Sequence, residues 1–145
     1  ADKKKEIMDR DIESLVSDEM YIAPETYKLD YLFVSSGTED KPSASVKLIF
    51  NGNIIEAEGL GDGPVDAVYN VITKLIGRSI NLIDYVIQSI TGGTDALGEV
   101  NVRIEGNNQI YSGHGSDTDI IIASAKAYIN AINKMVNYSI LQQRR

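Results

Sequence analysis

The segment DYLFVSSGTEDKPSASVKLIFNGNIIEAEGLG (30–61) returns 54 residues later, without a gap, as DYVIQSITGGTDALGEVNVRIEGNNQIYSGHG (84–115). Eight of the 32 aligned positions are identical, where composition alone gives about two. A period of this length that occurs only twice predicts two copies of one supersecondary unit packed together, because a solenoid needs three or more repeats. The seam between two such halves is a common place for a ligand.

Each copy has the pattern of three strands followed by a helix. In the first copy, Asn51-Gly52 is a strong hairpin dipeptide, and Pro64 suits the first turn of a helix. In the second copy, Ser116 and Asp119 stand at capping-box spacing before an apolar helical stripe. The strands are predicted over 29–36, 44–50, 54–58, 84–91, 99–105 and 109–112, with turns over 37–42, 92–97 and at Gly106-Asn107.

The predicted fold class is therefore α+β, with two pseudo-symmetric βββα repeats, antiparallel strands and the helices on one face. Residues 28–138 form the domain, with repeats over about 28–81 and 82–138, and 139–145 form a C-terminal tail. Residues 1–27 are predicted to be a linker, because 3–20 carry a charged, amphipathic helical pattern. The lysine-rich start without Met leads us to expect a piece cut from a longer chain.

Composition narrows the possible functions. The net charge of −7 argues against nucleic acid as a partner, since its recognition needs a basic surface. No apolar run has the length of a membrane span and no signal-peptide pattern is present, so we expect a cytoplasmic protein with no membrane partner. The chain has no cysteine and one histidine, which excludes thiol chemistry and a multi-histidine metal site.

Several short motifs have both a structural and a functional interpretation. The glycines of 59–63 could hold an anion at a helix start, although a tight strand-to-helix turn explains them better. Asp117 and Asp119 resemble a metal pair, but acids in a first helical turn usually cap it. His114 lies between glycines in a predicted loop, and its repeat counterpart is Leu60, which favours packing over catalysis. No nucleophile, base and orienting group come together, so we predict no catalytic residue, no metal ligand and no cofactor in this chain.

A family resemblance rests on GDGPVDA (61–67), LIDY (82–85), GTDALGEV (93–100) and the long motif over 113–133, which occur in the right order. Over residues 28–135 the chain resembles the C-terminal regulatory domain of the 2-isopropylmalate synthase and citramalate synthase family. In that family the end-product amino acid binds where two regulatory domains meet. It inhibits the distant condensation of acetyl-CoA with a 2-oxo acid, and the divalent metal belongs to a catalytic barrel that has no counterpart here.

The resemblance implies a homodimer, an interaction with the parent chain's own catalytic domain, and leucine as the effector, with isoleucine as the alternative if the parent is a citramalate synthase. Apolar residues outside the helical stripes also favour dimerisation, namely Ile49, Ile55, Ile87 and Ile110. The effector positions that the family implies are Val65, Asp66, Leu82, Tyr85, Ser89, Ala96, Gly98 and Thr118.

Two other functions stay open on the sequence alone. One is a purely structural dimerisation domain with a degenerate pocket. The other is a small enzyme that uses Asp117, Asp119 and His114. Tyr85, which belongs to the effector set, could equally be a core residue whose hydroxyl finds a partner.

Overall fold

Two antiparallel sheets of three strands, each followed by a helix, make up the computed structural model, so the predicted pair of βββα units is confirmed. The structure describes residues 22–37, 40–90 and 96–143, without the side chains of 89, 90 and 139–143. The predicted linker helix over 3–20 and most of the predicted turn over 92–97 lie outside these ranges. The elements are β1 (Tyr27–Ser35), β2 (Ser43–Phe50), β3 (Asn53–Leu60), α1 (Pro64–Ile76), β4 (Asn81–Ile90), β5 (Leu97–Gly106), β6 (Gln109–Asp117) and α2 (Ile120–Gln143).

The two hairpins between second and third strands use the same kind of turn. Asn51 and Gly52 connect β2 to β3 with φ of 53° and 77°, as predicted for a two-residue turn that needs the left-handed conformation twice. The second turn is formed by Asn107 and Asn108, with φ of 54° and 62°. The prediction of Gly106-Asn107 was wrong, because Gly106 still pairs with Gln109 in the ladder.

The offset between equivalent positions of the two structural repeats differs from the 54 residues of the sequence match. Asn51 corresponds to Asn107, and the helix starts Pro64 and Ile120 correspond, so in the hairpin turns and helix starts equivalent positions lie 56 residues apart. The sequence match at 54 is displaced by two residues in these elements. Between β1 and β4 the offset is 53 instead, because Leu29 and Leu82 pair with the equivalent residues Leu48 and Ile104. There the sequence match is displaced by one residue. Since side chains alternate with a period of two, Tyr31 is exposed whereas Tyr85 faces the core.

Strand β6 extends to Asp117, five residues beyond the predicted end. His114 and its flanking glycines are consequently strand residues, and the predicted loop over 113–117 was wrong. A Cβ on Gly113 would lie 2.1 Å from the carbonyl oxygen of Ala127 and 2.6 Å from the backbone nitrogen of Ala131. The glycines of β6 thus let α2 lie directly on the strand, and tertiary packing explains them better than a loop does.

The core lies between the inner faces of the sheets and the two helices. α1 packs on β2 and β3, whereas α2 packs on β5 and β6 and also reaches β1. Apolar residues alternate along the central strands, as in Val46 and Leu48 of β2 and Val100 and Val102 of β5, all of which are fully buried. Each sheet therefore covers its helix, and the two helices meet along the seam between the repeats.

The start of α2 is capped by Asp119, whose carboxylate accepts the backbone N–H of Ile121 at 2.8 Å. This confirms the capping interpretation of Asp119, but the capping-box pairing with Ser116 was wrong, because Ser116 is a residue of β6. At its other end α2 continues to Gln143, past residue 138, where the sequence analysis ended the second repeat. Within the described ranges no helix is both long and apolar enough to cross a membrane.

Candidate ligand-binding cleft

A cluster of tyrosines around one buried serine joins the two repeats. The rings of Tyr69 on α1 and Tyr128 on α2 stack with centroids 4.2 Å apart, and Tyr85 on β4 meets Tyr69 edge-on at 6.2 Å. Ser124 is fully buried. Its hydroxyl lies 2.6 Å from that of Tyr85, and its carbonyl oxygen accepts the hydroxyl of Tyr69 at 2.8 Å. The prediction that the Tyr85 hydroxyl finds a partner in the core is confirmed.

Burial keeps the phenols of Tyr69 and Tyr128 protonated. It raises the pKa of Tyr69 far above the ordinary tyrosine range; the neighbouring Tyr85 and Tyr128 add to the increase, and the hydrogen bond to Ser124 opposes it. Burial also raises the pKa of Tyr128, against the opposing effect of its hydrogen bond with Thr73. Neutral hydroxyl groups can donate as well as accept, so the cluster is a fixed polar network rather than a source of charge.

A cleft of about 330 Å³ opens beside this cluster, between α1 and the start of β4. Two residues of the predicted effector set line it, Asp66 and Leu82. The prediction did not include the remaining lining residues, which are Tyr69, Asn70, Thr73, Ile80, Asn81 and Tyr128.

Asp66 places a carboxylate at the rim of this cleft, in the first turn of α1. One of its oxygens accepts the backbone N–H of Asp62 at 2.8 Å and lies 3.5 Å from the side-chain nitrogen of Asn70. The other oxygen accepts no hydrogen bond within the described residues. The side chain of Leu82 is 45% exposed, so the cleft offers a carboxylate and an apolar surface together.

The other predicted residues lie in three places. Val65 is half-buried against the core next to Asp66. Tyr85 stands behind the cleft and supports the ring of Tyr69. The remaining four residues lie toward the far end of β4. Ser89 of β4 pairs with Gly98 of β5, and Gly98 pairs in turn with Asp117 of β6. Ala96 lies just before β5 and Thr118 just after β6, and both are exposed.

The eight predicted positions therefore form two groups within one chain. Leu82 and Ser89 are seven residues apart on a strand, which corresponds to about 23 Å at a rise of roughly 3.3 Å per residue. A single amino acid cannot touch both within one copy of the domain. The sequence resemblance placed Leu82, Tyr85 and Ser89 along one strand but carried no information on this distance.

The residues of the alternative catalytic interpretation each have a structural partner. Asp117 accepts the backbone N–H of Asp119 and pairs with the ammonium of Lys126 at 3.0 Å, and these contacts, the backbone one first, lower its pKa. The Nδ1 atom of His114 lies 3.0 Å from the side-chain oxygen of Asn101. Within the described part of the chain, no three acidic or histidine side chains cluster so that they could hold a metal ion.

Comparisons with known proteins agree with this architecture. Residues 6–136 match the family model described as the LeuA allosteric (dimerisation) domain. The 2-isopropylmalate synthase of Heliobacterium modesticaldum is 48% identical over 136 residues, which are 94% of this chain and 27% of that protein.

Two further 2-isopropylmalate synthases give the same result. That of Nitratidesulfovibrio vulgaris is 50% identical over 93% of this chain and 26% of its own length, and that of Gloeothece citriformis is 44% identical over 100% and 27%. The chain spans about a quarter of the length of these relatives. With its two βββα units and this match over nearly its whole length, the chain belongs to the LeuA allosteric (dimerisation) domain family, the C-terminal regulatory domain of 2-isopropylmalate synthases and their relatives.

Proposed function

We propose that the cleft between α1 and β4 binds a branched-chain amino acid, leucine in preference to isoleucine, as the feedback effector of a 2-isopropylmalate synthase. The observation that carries the proposal is the position of the exposed Leu82 side chain and the Asp66 carboxylate on the same cleft of about 330 Å³. An α-amino acid with an aliphatic side chain needs both features. The names of the relatives favour leucine, the end product that the family resemblance assigns to isopropylmalate synthases.

Each part of the ligand has a chemical counterpart in the cleft. The ammonium group would pair with the free oxygen of Asp66. The carboxylate would accept backbone N–H groups at the start of α1, where the helix leaves donors unsatisfied and its dipole favours a negative charge. The side chain would pack against Leu82 and the ring of Tyr69. Because leucine and isoleucine differ in the position of one methyl group, the cleft separates them by about 1–3 kcal/mol at most.

We also propose that two copies pair along β4, which is an edge strand of its sheet. Its apolar side chains are exposed on both faces, to between 41% and 51%: Leu82, Ile83, Val86 and Ile87. The corresponding edge strand β1 is instead bonded at its first residue, because Asn133 of α2 bonds to the backbone of Tyr27. An uncovered, apolar strand edge invites pairing with a second chain.

A twofold axis near the middle of β4 would also unite the two groups of predicted residues. In antiparallel pairing about such an axis, Leu82 of one copy lies next to Ser89 of the second copy. Each cleft would then receive the Ser89–Gly98 end of the neighbouring β4. This arrangement explains how residues about 23 Å apart along one strand can belong to one effector site.

The condensation of acetyl-CoA with a 2-oxo acid is proposed only for the parent enzyme. That chemistry would use the divalent metal of the family's catalytic barrel, and we expect this chain alone to give no turnover. The second candidate, a dimerisation domain without an effector, keeps β4 pairing but predicts no amino-acid binding.

Calorimetric titration of the chain with leucine, isoleucine and valine tests the proposal. We expect saturable leucine binding that weakens at least about tenfold, or about 1.4 kcal/mol, in Tyr85→Ala, because the Tyr69 wall of the cleft loses its support. Tyr31→Ala is the matched control, since Tyr31 is the repeat counterpart of Tyr85 in the sequence but is 46% exposed on the other sheet. Absence of heat with all three amino acids, or wild-type affinity in Tyr85→Ala, would contradict the cleft assignment.

A further inference from the structure

Two asparagines in the C-terminal half of α2 bond to the residues just before β1 and to its first residue. The side-chain amide of Asn133 accepts the backbone N–H of Tyr27 at 2.8 Å and donates to the carbonyl oxygen of the same residue at 2.9 Å. One turn further, Asn137 donates to the hydroxyl of Thr26 at 2.9 Å. Asn133 is only 5% exposed, so this paired contact is shielded from water. We call residues 24–27 the lead-in segment.

The opposite face of the same helix contacts the candidate cleft. Ser124 and Asn133 are nine residues apart, which is about half a turn around a helix with roughly 3.6 residues per turn. Ser124 bonds to Tyr85 of β4 and to Tyr69 of α1. α2 therefore stands between the cleft on one side and the lead-in segment on the other, with a hydrogen bond at each contact.

The cleft has fewer hydrogen bonds across it than the opposite side of the domain. Among the described residues, no hydrogen bond joins α1 to β4, and the two elements meet through the edge-on contact of Tyr69 and Tyr85. On the opposite side, α2 is bonded both to β1 through Asn133 and to β6 through Asn130, whose side chain accepts the N–H of His114 at 3.0 Å. A ligand that closes the cleft would therefore displace β4 relative to α1, while the bond between Tyr85 and Ser124 keeps β4 attached to α2.

We propose that α2 transmits effector binding to the lead-in segment, and that Asn133 is the positioning residue that makes this connection. Movement of β4 acts on Ser124 through the hydroxyl of Tyr85. α2 responds as a rigid rod, because small shifts of packed helices are a common form of allosteric switching. The amide of Asn133 then carries the shift to Tyr27 and to the chain that precedes it. This inference rests on the proposed function, since it describes how that same site would regulate the parent enzyme.

Hydrogen exchange of the full 145-residue chain, with and without saturating leucine, tests the inference. In the wild type, leucine should slow exchange in residues 81–88 and should also change exchange in residues 22–29 by at least about twofold. In Asn133→Ala the effect on 81–88 should remain, and the effect on 22–29 should fall below half of the wild-type change, because only the bond of Asn137 to Thr26 then joins α2 firmly to the lead-in segment. Asn130→Ala is the matched control: it removes an asparagine–backbone bond from a position three residues earlier on α2, but that bond leads to β6 and not to the lead-in segment. It should retain both effects.

Three outcomes would overturn the inference. The first is a wild-type response in residues 22–29 of Asn133→Ala. The second is an equal loss in Asn130→Ala. The third is a wild-type chain that responds in 81–88 alone, which refutes transmission but leaves the effector site intact. If Asn133→Ala does not fold, Asn133→Asp takes its place, because it keeps the acceptor for the Tyr27 N–H and removes the donor. In that variant the change that leucine causes in the exchange of residues 22–29 should fall below half of the wild-type change. No leucine response in any segment would refute the proposed function itself.

Discussion

Replacement of Tyr85 by phenylalanine removes one hydroxyl group from the seam and leaves the ring in place. That hydroxyl lies 2.6 Å from the hydroxyl of Ser124, which is fully buried. Ser124 keeps a second partner, because its hydroxyl also donates to the carbonyl oxygen of Ile120 at 2.7 Å. The substitution therefore leaves no polar group without a hydrogen bond.

The expected cost follows from this geometry. A hydrogen bond between neutral groups contributes about 1 kcal/mol net, and the larger penalty of about 1–3 kcal/mol applies only when a buried partner is left unsatisfied. Tyr85→Phe should thus lower the free energy of unfolding by about 1 kcal/mol, which in a chain of this size lowers the thermal midpoint by about 2–4 °C. Ser124→Ala should cost more, about 1–3 kcal/mol, because it leaves the half-buried hydroxyl of Tyr85 without its partner. Part of this cost is offset because alanine favours the helix by about 0.5 kcal/mol.

Urea denaturation of the two single variants and the double variant measures the interaction directly. If the hydroxyl groups bond to each other, the double variant should cost about 1 kcal/mol less than the sum of the single variants. Tyr31→Phe, on the exposed sheet surface, should be unchanged within about 0.5 kcal/mol. A coupling energy below about 0.3 kcal/mol would show that the two groups do not bond, and the proposed connection between β4 and α2 would lose its first step.

Three further predictions concern packing, pH and assembly. Gly113→Ala should lower the free energy of unfolding, measured by urea denaturation, by about 3 kcal/mol or more, because the new Cβ meets the backbone of α2 and overpacking strains the core. Gly37→Ala is the control and should leave this free energy unchanged, because open space surrounds Gly37. Equal effects of the two substitutions would contradict the close approach of helix and strand. Because the pKa of Asp117 is lowered in the fold, its ionised form stabilises the protein at any pH above the ordinary aspartate pKa. The difference in thermal midpoint between wild type and Asp117→Asn should therefore be constant near pH 6–7 and should shrink as the pH falls below about 4. A difference that is independent of pH would refute this role. Ile87→Lys on the β4 edge should convert dimers into monomers in sedimentation at tens of micromolar, whereas Ile54→Lys, an equally exposed position on β3, should not, and a monomeric wild type would contradict pairing along β4.

The fold class followed from the sequence because its determinants are local. The Asn51-Gly52 turn requires left-handed backbone at both positions, Pro64 suits a helix start, and apolar residues alternate along each strand. The repeat register was less well determined. Identities at an offset of 54 concealed the structural offsets, which are 56 in the hairpin turns and helix starts and 53 between β1 and β4.

The candidate cleft was only partly predictable, because it depends on contacts between distant segments. Asp66 and Leu82 were found through the family motifs. Tyr69 and Tyr128 stack across the seam from positions 59 residues apart, and neither lies in a local pattern that separates a cleft wall from a core residue. The sequence around Asn133 does not indicate what its side chain contacts. Only the structure shows that it bonds to Tyr27, 106 residues away, at the start of an edge strand.

The central claim is that the effector lies between α1 and β4, and the structure of the chain crystallised with leucine tests it most directly. We expect leucine with its ammonium group at Asp66 and its side chain against Leu82, in a dimer that places Ser89 of the second copy at the same site. A second groove lies between β1 and α2 and is lined by Tyr27, Leu29 and Ile129, among others. Leucine bound in that groove, or a dimer in which β4 remains exposed to solvent, would contradict the proposal.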